Sequence, residues 1–245
     1  MGFQKTRMPV FAGRILLWIL LTLLSASCAG LSGASGSSGT PGRGEAIPPS
    51  VREFLDRVDW RLEDCRPSSL AHPEEFTALS RYYWTSVSAG ELWDLYTTMD
   101  AARAWQGEAV QFGVVYDSRE SRLYTPDDSE APPFREGQIY VLDLTIAGFY
   151  KLPVGFLLSR LDPREELIEF LYLLENRSNG GQQIRFFPFR DSRGREGTLI
   201  EHRTWFHSSS AVRDRLYPLF HNQTIDAFHR NITSVGGLEL EVMDN

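Results

Sequence analysis

The chain has 245 residues, ordinary hydrophobic and charged fractions, and a formal net charge of −7. Acidity at this level serves solubility, and without a dense basic patch it argues against nucleic acid as a partner. Two cysteines, Cys28 and Cys65, are too few to hold a metal by themselves, and the length allows one large domain or two small ones.

Lys5, Arg7 and Arg14 form a positive leader, and Ile15 to Leu24 is an apolar run ending in small residues before Cys28. About ten apolar residues suit a signal peptide and are short for a membrane span, although an uncleaved short anchor is the alternative. Residues 1–27 are therefore expected to be a signal peptide. Leu24-Ser25-Ala26-Ser27-Cys28 resembles the bacterial lipobox, which implies lipidation of Cys28. Ser25 stands where leucine is commonest, so ordinary signal-peptidase cleavage competes. Residues 28–49 are rich in Gly, Ser, Ala and Pro and too poor in apolar side chains to build a core, as a tether would be. Together these features lead to the expectation of a lipoprotein of the bacterial cell envelope, held at a membrane and facing the periplasm or exterior.

Ser50-Val51-Arg52-Glu53 has the spacing of a capping box. Val51, Phe54, Leu55, Val58, Leu62 and Cys65 then follow helical spacing, so an amphipathic helix is expected over residues 50–66, with Cys65 as a small buried hydrophobe. Strand-forming residues run from Thr77 to Val87, and a helical stretch opens at Ser88-Ala89-Gly90-Glu91 and continues to Ala104 and Trp105. Val110 to Tyr116 reads as a strand and Glu120 to Glu136 as a surface loop. Alternation in the runs around Tyr140, Leu152, Phe170, Phe186 and His202 predicts five further strands, with Asn179-Gly180-Gly181 as a hairpin turn.

The last long element is a helix from about Ser209 to Val235, followed by Gly236-Gly237 and a tail over 236–245. Its apolar stripe reads Val212, Leu216, Leu219, Phe220, Thr224, Ala227, Phe228 and Ile232, and Pro218 is expected to kink it.

This order of elements, with Ser88-Ala89-Gly90-Glu91-Leu92-Trp93, Trp105 after the helix pair, and the Gly197–Phe206 strand feeding the final helix, resembles the START-like helix-grip superfamily. The resemblance covers residues 76–235. It implies an α+β fold: a curved seven-stranded antiparallel sheet around a long C-terminal helix, with two short helices after the first strand. It also implies a cavity for an apolar small molecule or lipid. The inward-facing candidates are Tyr140, Leu142, Leu144, Phe170, Tyr172, Phe186, His202, Phe206, Phe220 and Phe228. A core filled by these side chains is the plain alternative. His202 is an ionisable residue on the apolar face and the candidate general base of a cyclase- or hydrolase-type enzyme, with Tyr140 or Tyr172 beside it and His221 able to share the cavity. A ligand-free interaction domain is the third reading. No cofactor motif is present, and His202, His207, His221 and His229 have no metal-ligand spacing.

Overall fold

The computed structural model describes residues 46–128, 131–191 and 194–243. The expected signal peptide, Cys28 and nearly all of the tether lie outside these residues. In chain order the elements are α1 (Pro49–Arg57), β1 (Thr77–Thr85), α2 (Ala89–Thr98), α3 (Ala101–Ala104), β2 (Val110–Asp117), β3 (Arg122–Tyr124) and β4 (Gln138–Ile146). They continue with β5 (Tyr150–Asp162), β6 (Leu167–Tyr172), β7 (Ser178–Arg190), β8 (Glu196–Ser208), α4 (Ala211–Val235) and β9 (Glu241–Met243).

All nine strands form one antiparallel sheet in the order β3-β2-β4-β5-β6-β7-β8-β1-β9. The helices α2, α3 and α4 cover its inner face. Helix α4 runs back along β8: Tyr217 stacks on Phe206 at 4.0 Å, His221 bonds Thr204 at 2.8 Å and His229 bonds His202 at 2.8 Å. The fold is α+β, with a long C-terminal helix held against a large open sheet.

Among the described residues the sheet has nine strands, not seven. The two extra strands are three residues each: β3 lies inside the expected surface loop and β9 inside the expected tail. Segments that short carry no periodicity and become strands only because β2 and β1 offer them a ladder. The rest of the 120–136 loop is not wholly at the surface either. Asp100 caps α3 by accepting from Arg103 N at 3.0 Å, and its second oxygen accepts from Ala131 N at 2.9 Å. That tie delivers Phe134 into the core, against Tyr140, Phe170 and Phe228.

Asn179-Gly180-Gly181 is not a turn but part of β7. Gly180 has φ +133°, and a Cβ there would stand 2.0 Å from the Trp205 carbonyl oxygen. The glycine is needed because β8 approaches closely, which is a tertiary reason.

Helix α1 is shorter than expected, with only a 3₁₀ turn at Leu62–Asp64 after it. Ser50 forms no capping box; its hydroxyl donates to Asp143 Oδ1 at 2.7 Å, and Pro48 occupies the cap position. Val51, Phe54, Leu55 and Leu62 pack on the outer face of the sheet against Val114, Ile139, Val141 and Leu173. Gly113 makes room: a Cβ there would lie 2.7 Å from a Val51 methyl. Cys65 is half-buried beside this cluster, and burial with Glu175, Asp64 and Glu63 nearby pushes its thiol up to about 11.

Ser210 caps α4 by accepting from Arg213 N, and the helix runs continuously past Pro218. Ile225, Phe228, His229, Ile232 and Thr233 in its second half are fully buried. Leu219 is 58 % exposed, not part of the stripe. It stands about two and a half turns from Phe228 and so points the opposite way.

Candidate functional site

Three zones lie between α4 and the inner face of the sheet. The deepest is aromatic. Trp105, placed after α3, stacks on Phe228 at 4.1 Å and meets Phe156 at 5.5 Å and Phe170 at 6.4 Å. Tyr140 stacks on Phe156 at 5.4 Å, and Phe186 meets Tyr96 edge-on at 4.9 Å. Ring pairs at these spacings and tilts are favourable beyond the area they bury. Of the sequence-predicted cavity residues, Tyr140, Leu142, Phe170, Tyr172, Phe186 and Phe228 are buried members of one cluster that also holds Trp105, Phe134 and Phe156.

The second zone is a polar seam. His202, on the inner face of β8, is 1 % exposed and uses both ring nitrogens: Nε2 reaches Gln182 Oε1 at 2.8 Å and Nδ1 reaches His229 Nε2 at 2.8 Å. His229 is fully buried, and its Nδ1 meets the Tyr96 hydroxyl at 2.5 Å. A neutral imidazole has one donor and one acceptor nitrogen, so the Gln182 oxygen sets the direction of the whole chain. Tyr96 O–H donates to His229, His229 Nε2–H donates to His202, and His202 Nε2–H donates to Gln182.

Burial holds both histidines neutral, driving His202 well below its ordinary value and His229 down to about 3. Beside the seam, Asp226 accepts from Arg81 Nε at 2.6 Å, from Arg81 Nη2 at 2.8 Å and from the Tyr83 hydroxyl at 2.7 Å. That carboxylate is the chief reason the Arg81 guanidinium titrates higher than usual. His202 thus has neither predicted tyrosine as a partner: Tyr140 donates to Gln138, and Tyr172 pairs with Tyr217. No group of three His, Cys, Asp or Glu side chains among the described residues is arranged to hold a metal ion.

The third zone is the end of the grip under the first half of α4, and it is less tightly closed. Across residues 213–223 no side chain is fully buried, although Leu216, Tyr217 and Phe220 are there. Leu144 of β4 and Val154 of β5 lie on the inner face and are only half-buried. Phe220 is on the same flank of α4 as Ala227 and Asn231, which lie beside Gly107 and the carbonyls of Ala104 and Gln106. That flank faces the α3–β2 connection. Polar tips line the zone as well: Tyr172 and Tyr217 share a hydrogen bond at 2.5 Å, Tyr217 meets His221 Nδ1 at 3.3 Å, and His221 Nε2 meets Thr204.

The structure therefore divides the predicted residues: Leu144 and Phe220 are only partly buried, whereas the others, Tyr172 and Phe206 included, are buried. His229, Tyr96 and Gln182 were not foreseen as partners of His202. Their only signal is that a buried histidine on an apolar face must find two hydrogen-bond partners.

No protein-family model and no curated protein matches this chain. Solved structures similar to it include norcoclaurine synthase from Thalictrum flavum, at 13 % identity over 65 % of this chain and 92 % of that one, with a TM-score of 0.47. Another is the major latex-like protein 151 of Panax ginseng, at 11 % identity, 64 % and 94 % coverage, and a TM-score of 0.44. A third is protein Ms6760 of Mycobacterium smegmatis, at 12 % identity, 70 % and 95 % coverage, and a TM-score of 0.43. At such identities no residue role transfers. The chain's own sheet order, with two short helices after β1 and the long α4 held against the inner face, gives residues 77–235 a helix-grip fold.

Proposed function

We propose that this domain binds and carries an apolar small molecule or lipid at the half-open end of the grip. One observation carries the reading: Leu216 and Phe220 in the first half of α4 and Leu144 and Val154 on the inner face of the sheet are only partly buried, while Ile225, Phe228, His229 and Ile232 in the second half are fully buried. An apolar occupant covering these side chains gains about 25 cal/mol for each Å² removed from water. A few convergent hydroxyls in an apolar concavity are the usual makeup of a small-molecule site. His202 supports carriage over catalysis, since both of its nitrogens are engaged and it has none left for a substrate.

Native mass spectrometry of the full chain extracted from its own membranes tests this. A co-purifying apolar molecule that is lost from Phe220→Arg, with the melting temperature held, is the expected result. Wild-type protein that emerges empty and takes up no apolar probe overturns it.

The location is part of the same proposal and rests on the sequence of the leader, Cys28 and the tether. Lipidation at Cys28 would keep the domain at the membrane where its cargo resides. Labelled fatty acid should enter the wild type and not Cys28→Ala; equal labelling of both would refute the anchor.

A further inference from the structure

Trp105 is 2 % exposed, and its indole Nε1–H has no hydrogen-bond partner. The side chains that meet its ring, Phe156, Phe170 and Phe228, offer no acceptor. The hydroxyls of the same interior bond other partners, Tyr140 to Gln138, Tyr172 to Tyr217 and Tyr96 to His229, and none accepts from the indole. An indole N–H can only donate, so no rearrangement of its own polarity relieves it. Buried donors are nearly always paired, and one that is not calls for an account.

Its position supplies one. On the inner face Tyr140 pairs with Phe156 and Leu142 with Val154, so Phe156, which Trp105 touches, lies one inward-facing residue beyond the half-buried Val154. Trp105 also directly precedes Gln106 and Gly107, the connection faced by the Ala227–Asn231 flank of α4. The orphan donor therefore lies next to Phe156, the inward-facing neighbour of the half-buried Val154.

We infer that the occupant carries a hydrogen-bond acceptor, a carbonyl or ether oxygen on an otherwise apolar body, and that Trp105 Nε1–H recognises it. This deepens the binding reading above and rests on it. Trp84 has an unpaired indole N–H too, but it alternates with inward-facing Tyr83 on β1 and lies under Arg195 at 4.1 Å, away from the interior. A hydrocarbon would leave the Trp105 donor unsatisfied, whereas a ketone of similar length would satisfy it. A pocket with a built-in donor discriminates strongly against ligands that lack the matching atom.

The experiment titrates the full chain with methyl decyl ketone and with dodecane, in the wild type and in Trp105→Phe. The ketone should bind the wild type about tenfold more tightly than dodecane, the worth of one satisfied buried donor. The variant should lose that preference while keeping its affinity for dodecane. Because the smaller ring could loosen the aromatic cluster, a second measurement uses unaltered protein. The indole N–H resonance with Overhauser contacts to the Phe228 ring should move downfield with the ketone and not with dodecane. Equal binding of both probes by the wild type, with no movement of that resonance, overturns the inference and leaves apolar binding standing. If neither probe binds, the binding reading falls and this inference falls with it.

Discussion

Acidification should destabilise this domain well before its carboxylates protonate, and the histidine seam sets the size of the effect. His229 is held neutral with a value of about 3 in the folded state, against about 6.5 when unfolded. Between those limits the unfolded chain takes up a proton that the folded chain refuses, so stability is full above about pH 6.5 and falls as the pH drops. At about pH 5 the loss from His229 alone is 1.36 kcal/mol times roughly 1.5 pH units, about 2 kcal/mol. His202 is depressed in the same direction, by burial and by His229 and His221 beside it, and adds to the loss. Burial lowers His221 to about 3 as well, and its partial exposure to solvent reduces what it adds. Asp117 and Asp128 have lowered values, so their contribution is lost only below the ordinary carboxylate range and does not interfere. Urea unfolding at a series of pH values between about 8 and 5 measures this, and the midpoint should fall by about 1 M or more. His229→Gln should reduce the slope of stability against pH, because glutamine does not titrate. Stability that stays flat over that interval, or a slope unchanged in the variant, would refute the neutral buried chain.

Three further outcomes follow from the packing. Gly180→Ala should destabilise the domain by about 3 kcal/mol or more, since its Cβ meets the Trp205 carbonyl and the backbone is strained for any L side chain; thermal unfolding reads this directly. Asp226→Ala should cost about 2–4 kcal/mol in chemical denaturation, because it leaves the half-buried Arg81 and the Tyr83 hydroxyl without their acceptor. Phe54→Ala should cost about 3–5 kcal/mol through the outer-face cluster, without changing binding of an apolar probe on the inner face, as a paired melting and titration experiment would show.

Alternation is what made the inner face readable. Ile200, His202, Thr204 and Phe206 are all buried, because a period of two is a property of the strand itself. The final helix was legible for a similar reason, through its serine cap and the glycines that follow it. What was not legible depends on approach from elsewhere in the chain. Asn179-Gly180-Gly181 has the local chemistry of a turn, and only the nearness of Trp205 makes it strand. Phe134 is an aromatic in a proline-containing loop, drawn inward by an aspartate about thirty residues away. The pairing of His202 with His229 depends on the phase of α4, which the expected kink at Pro218 obscured, whereas the helix continues through that residue.

The two strands that periodicity could not reveal are also those at the margins of the sheet. Open margins present rows of unpaired backbone groups that another chain can extend into a fibre. Here β9 lies along β1 from Tyr82 to Trp84 and β3 lies along β2 from Val115 to Asp117, each only three residues long. Such stubs satisfy part of the exposed backbone yet are too short to template a newcomer. A chain cut before Leu238 would bare the β1 margin from Tyr82 to Trp84 and also lose Leu238, Leu240 and Val242, which pack against the core.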